Sequence, residues 1–90
     1  MFSIPRVNVI QSDEGFSVEV LGQTGLRYSE DNKTMKIDSE VLNGPAALVV
    51  FSRSIKAWSS GDPTDQSQRD RILDNIRRAF QYRGMNIEVR

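Results

Sequence analysis

Residues 16–38 read FSVEVLGQTGLRYSEDNKTMKID, and their reading decides the fold. Phe16, Val18 and Val20 alternate with Ser17 and Glu19, Leu26 and Tyr28 with Arg27 and Ser29, Met35 and Ile37 with Lys36 and Asp38. Successive side chains of a strand point to opposite faces, so a period of two gives each run one apolar and one polar face. GQTG (22–25) and EDNK (30–33) separate the runs. Gly, Asn and Asp accept the left-handed backbone of tight turns, and Asp and Asn also bond their own main chain. Short alternating runs joined this way predict an antiparallel meander.

Upstream, Val7 and Val9 lie on one side of a further strand with Asn8 on the other, and DEG (13–15) turns the chain back. Downstream, NGP (43–45) is a breaker. The continuous run Leu48 to Phe51 then predicts a strand covered on both faces near the middle of the sheet, continued by the alternation of Ser52, Arg53, Ser54, Ile55 and Lys56. SSGDPTD (59–65) is a loop that leads into a helix, with Asp62 before Pro63 as the cap, or Thr64 or Asp65 in its place. Ile72, Leu73, Ile76, Ala79 and Phe80 recur at three- and four-residue spacing, which predicts an amphipathic helix over residues 65–83 with Arg71, Asp74, Asn75, Arg78 and Gln81 outside its apolar stripe. Asp74 and Arg78 make a favourable pair four residues apart. Gly84 stops the helix, and Met85, Ile87 and Val89 alternate in a last strand. The fold expected is α+β: an antiparallel meander of five to six strands, one C-terminal amphipathic helix packed on one face, then a last strand.

Ninety residues make one domain with a thin core, because a chain this short buries only about 60–65% of the surface its unfolded form exposes. Neither Cys nor His occurs, which excludes disulfides, thiolate zinc sites, cysteine nucleophiles and histidine-based triads. No segment approaches the roughly 20 apolar residues of a membrane span. The N-terminus MFSIPRVNVIQSDEGF (1–16) has no basic start followed by a long apolar run, so a cytoplasmic location is expected.

Charges cancel overall but not locally. Residues 1–40 hold seven acidic against four basic groups, a net of −3; residues 41–90 hold eight basic against five acidic, a net of +3. Either the halves form an acidic and a basic face, or they interleave and the charges average out.

Few stretches carry chemistry. The carboxylate pairs Asp13/Glu14 and Glu30/Asp31 fall in expected turns, where nothing nearby desolvates them enough for acid–base work. GDPTD (61–65) and SEDNK (29–33) lack the spacing of a calcium loop, and GQTG lacks the lysine and helix start of a phosphate loop. No catalytic residue, metal or cofactor is therefore expected. The arginine-rich helix with Phe80 and Tyr82 supports a nucleic-acid-binding reading, against which stand zero net charge and the interspersed Asp70 and Asp74. Trp58 closes FSRSIKAW (51–58) before a small polar loop. A thin core favours packing the ring where the strand leaves the sheet, its indole N–H bonded to a loop carbonyl; the rival role is an interface anchor.

Several stretches together resemble a family of small bacterial immunity proteins from polymorphic toxin loci. They are VEVLGQTGLRYSED (18–31) with its Gly-x-x-Gly-Leu-x-Tyr, IDSEVLNGP (37–45), IKAWSSGDP (55–63), RDRILDNIRRAF (69–80) and RGMNIEV (83–89). The resemblance covers residues 12–90, and Tyr28, Glu40 and Trp58 match its pattern. It implies a mostly β protein with a characteristic tryptophan, encoded beside contact-delivered or otherwise secreted toxins. The function it implies is that of a non-enzymatic immunity protein that binds and neutralises a cognate toxin. The missing catalytic groups agree, since occlusion needs only a complementary interface. Were the toxin a nuclease, its basic cleft would suit Glu30, Asp31, Asp38 and Glu40; these four and Trp58 are the expected partner-binding residues. The runner-up is a nucleic-acid-binding accessory domain using the helix.

Overall fold

The computed structural model describes residues 1–42 and 46–90, so the NGP breaker lies outside the described residues. Seven strands make one sheet in chain order: β1 (Phe2–Arg6), β2 (Val9–Ser12), β3 (Phe16–Val20), β4 (Thr24–Glu30), β5 (Lys33–Val41), β6 (Ala46–Val50) and β7 (Asn86–Val89). Neighbours pair antiparallel except β6 and β7, which run parallel because α1 (Gln66–Tyr82) carries the chain back between them. The expected α+β class and meander hold.

Register follows the alternation. Val18 stands opposite Tyr28 and Ile10, Tyr28 opposite Met35, and Leu26 opposite Val20 and Ile37. These side chains share one face, called inner here, and all but the half-buried Val20 are fully buried. Glu30 and Lys33 close the β4–β5 hairpin around Asp31 (φ 49°) and Asn32 (φ 67°), a two-residue turn whose twist matches that of the strands.

Several expectations need correcting. Val7 does not share a strand with Val9; it sits 82% exposed in the turn between β1 and β2, while in β2 Val9 stands on the outer side opposite Glu19 and Ile10 fills the inner face. The strand through Leu48 does not continue past Phe51 and is the sixth of seven rather than central. A 3-10 turn (Ser52–Ser54) replaces it, because the Ser54 hydroxyl donates to Phe51 O (2.6 Å) and accepts from Asp38 N–H (2.9 Å), an alternative to ladder bonding. Asn75 lies within the buried helix face rather than outside it.

Helix α1 begins at Asp65, whose carboxylate accepts from Gln68 N–H (2.7 Å) while the Gln68 side chain accepts from Asp65 N–H (3.1 Å). Pro63 is not in the first turn; it bridges to Ala57. Gly84 ends the helix at φ 75°, with Gly84 N–H on Gln81 O and Met85 N–H on Phe80 O, the paired bonds of a left-handed stop. Ile72, Ile76, Ala79 and Phe80 bury themselves on the inner face, and among the described residues the opposite, outer face carries no helix.

Candidate functional site

Five aromatic rings make a row under α1, running from Tyr82 through Phe2, Phe16 and Tyr28 to Trp58, with successive centroids 5.5 to 6.2 Å apart. Tyr28 lies at its polar crossing. Its side chain is fully buried, and its hydroxyl donates to Glu30 Oε2 (2.6 Å) and accepts from Asn75 Nδ2 (2.8 Å). Burial and the Glu30 carboxylate push the Tyr28 hydroxyl well above the usual tyrosine range. Glu30 in turn holds Arg71 (2.5 Å), and Arg78 spans Asn75 Oδ1 (2.5 Å), Glu14 (3.0 Å) and Asp74 (3.4 Å) while lying over the Phe16 ring. The Glu14 hydrogen bond raises the Arg78 pKa.

Sequence reasoning missed this network. Its signal was Asn75 itself, three residues after Ile72 and four before Ala79, hence on the apolar stripe, where a lone amide needs a buried partner. Tyr28 supplies that partner.

The network splits the expected acidic cluster. Glu30 is occupied within the fold, its side chain 16% exposed, whereas Asp31 stands free in the adjacent turn. Asp38 and Glu40 alternate with Ile37 and Ser39, so they project from the outer face. At about 3.4 Å per residue they lie about 17 and 24 Å along β5 from the level of Glu30. The structure brings Asp38 and Glu40 together and keeps Glu30 and Asp31 apart from them. Around the pair, the outer face presents Glu19, Arg27, Lys36 and, across the sheet, Glu88. Glu40 and Glu88 stand opposite Val49 from either side, and Val49 is 1% exposed although it points outward. The Glu88 carboxylate is held by Arg90, just past the end of β7.

Trp58 is 4% exposed, its ring tilted 37° against that of Tyr28, with Lys33 Nζ 5.8 Å from its centroid. It closes the inner face at the end of the sheet that carries the β4–β5 turn. The expected bond from its indole N–H to a loop carbonyl is not formed among the described residues: Nε1 is buried without a partner. The neighbouring carbonyls serve the loop's own backbone, Asp62 O accepting from Trp58 N–H and Lys56 O from Thr64 N–H.

Four of the five arginines between residues 69 and 83 bond to the fold, and exposed Arg77 has no partner among the described residues. Arg69 donates to Thr64 O (2.9 Å), Arg83 to Val7 O (2.8 Å), and Arg71 and Arg78 are paired with Glu30 and Glu14. A basic stripe for nucleic acid is therefore largely spent on the fold. Among the described residues no group of acidic side chains is arranged to hold a metal ion, and no helix is long and apolar enough to cross a membrane.

The family model described as Immunity protein 74 fits residues 17–90, from Ser17 in β3 through α1 and β7. No curated protein and no solved structure matches the chain.

Proposed function

Since the chain belongs to the Immunity protein 74 family, we propose that it neutralises its cognate toxin by binding it directly, without chemistry of its own, and that the outer face of the sheet is the binding surface. Family membership carries the toxin-neutralising role. The surface is inferred from what the fold leaves unused. The inner face is filled by α1 and the aromatic row, whereas the outer face offers Lys36, Asp38, Glu40 and Glu88 at fixed register on paired strands. A rigid surface of mixed charge suits specific recognition and speeds encounter with an oppositely patterned partner. Asp38 and Glu40 are assigned here as partner-binding residues, with Asp31 at the edge of the same reading.

Coexpression with the toxin domain encoded beside this chain's gene tests it. The parent chain protects the cells and co-purifies with the toxin. The double variant Asp38→Lys, Glu40→Lys melts like the parent but loses protection. Full protection by that variant would remove the outer face from the binding role, and failure of the parent to bind would remove the function.

A further inference from the structure

We propose that the free edge of β7 receives an extended segment of the toxin, which adds to the sheet as a further strand; this rests on the toxin-binding reading above and extends its surface around the edge of the outer face.

The backbone provides the first argument. Arg90 N–H donates to Val50 O (2.9 Å) and Arg90 O accepts from Ser52 N–H (2.8 Å), so both polar groups of Arg90 face β6. Backbone groups of a strand point alternately to its two sides, so those of Val89 and Ile87 face away from β6. The sheet ends there, and no backbone group among the described residues pairs with them. A row of open N–H and C=O groups is a template for strand addition.

Side chains beside this edge fit the same use. Ile87 and Val89 stand opposite Leu48 and Val50 on the inner face, yet both are only half-buried. Leu73 and Met85 are likewise partly exposed members of the core. An added strand would cover the edge side of this apolar group. The opposite edge of the sheet is blocked: β1 carries Pro5, which cannot donate, and its register shifts between Ser3 and Arg6.

Charge selects the occupant. A second copy pairing antiparallel through both Ile87 and Val89 would set Glu88 against its own counterpart, and like charges directly opposite destabilise a pair. The outer-face row runs Glu40, Val49, Glu88; Arg90, just past the end of β7, holds one Glu88 oxygen, and a Lys or Arg in the next strand would share the carboxylate from the open side. The segment therefore carries one basic residue opposite Glu88, flanked by apolar residues that turn toward the helix side.

Amide hydrogen exchange on the full chain, alone and with the neighbouring toxin domain, tests the proposal. In the free chain the Ile87 and Val89 amides exchange fast, and in the complex they slow by about tenfold or more. A complex that forms while both amides stay fast overturns this proposal and leaves the toxin-binding reading standing; no complex at all overturns both. Protection that rises with the free chain's own concentration would mean a second copy occupies the edge, which also overturns it. Val89→Pro deletes the outward donor without removing a bond to β6 and is expected to weaken toxin binding about tenfold, whereas Val89→Ala trims the same side chain but keeps the N–H and binds more tightly than the proline variant. Should Val89→Pro fail to fold, Glu88→Lys is expected to weaken binding about tenfold with the melting temperature unchanged, and parent-like binding by that variant would refute the charge match.

Discussion

Tyr28 and Trp58 each tie a buried group to stability, and at Tyr28 one hydroxyl joins the sheet to the helix. Its pKa is raised on folding, above the ordinary 10.0, so the folded state retains the proton that the unfolded chain releases. The stability linked to that proton is fully present below about pH 10 and is lost as pH rises toward the folded value. Chemical denaturation at about pH 8 and pH 11 should therefore show the parent losing more stability with alkali than Tyr28→Phe does, because the variant has no such group. Equal losses would detach the hydroxyl from the energetics. Trp58 makes the second case. Deleting a buried indole costs about 3–5 kcal/mol, a large share of what a small domain has, so Trp58→Ala should melt far below the parent, with any loss of toxin binding following the fold. A variant that melts like the parent yet fails to bind would put the ring at the interface. The sequence made the burial of Trp58 legible through the thinness of the core. It did not reveal the unpaired indole N–H, because which carbonyls a loop consumes internally depends on its three-dimensional closure.

Among the elements, the meander was the most readable. A two-residue period with Gly, Asp and Asn between the runs fixes both pairing and facing, since a one-residue slip would reverse every side chain. Strand β1 escaped because Ser3 to Arg6 are all exposed, leaving no apolar alternation to detect. The 3-10 turn escaped because Ser52 to Lys56 alternates like a strand, while the Ser54 hydroxyl takes over the hydrogen bonds that would have continued it. The helix stripe was legible except at Asn75, where a polar residue on an apolar face pays off only once Tyr28 is placed opposite. Ile76 lies fully buried at the centre of that stripe. Ile76→Asp would bury a carboxylate with no cation beside it and should leave the domain unfolded at room temperature by circular dichroism. An intact helical signal and a cooperative melt would move Ile76 out of the core.

For the whole molecule, the sequence left two charge arrangements open, and the structure shows contacts between the halves. Glu14 and Glu30 of the acidic half meet Arg78 and Arg71 of the basic half, so much of the asymmetry cancels at short range. Such contacts could not be read from charge counts, because they depend on which strand lies under which turn of the helix. The cancellation argues against tracking a phosphate backbone. At about 0.15 M salt the chain should not retard single- or double-stranded nucleic acid, since non-specific affinity scales with the number of phosphates neutralised and the helix keeps, among the described residues, only Arg77 of its arginines without a partner. Retardation that falls steeply with added salt would restore the nucleic-acid reading.

The order of strands in the sheet is the order in which they are synthesised, and this bears on when protection begins. Each of the first five pairings joins strands adjacent in the chain, so those contacts are short-range and form without closing long loops. Only the pairing of β6 with β7 waits for α1. A ribosome-bound chain can thus zip up its hairpins early, yet its inner face has no cover until Trp58 and the helix emerge. The last-made third sets the moment at which a nascent chain becomes a finished domain, so truncations there should leave a sticky half-sheet prone to aggregation and not a shortened inhibitor.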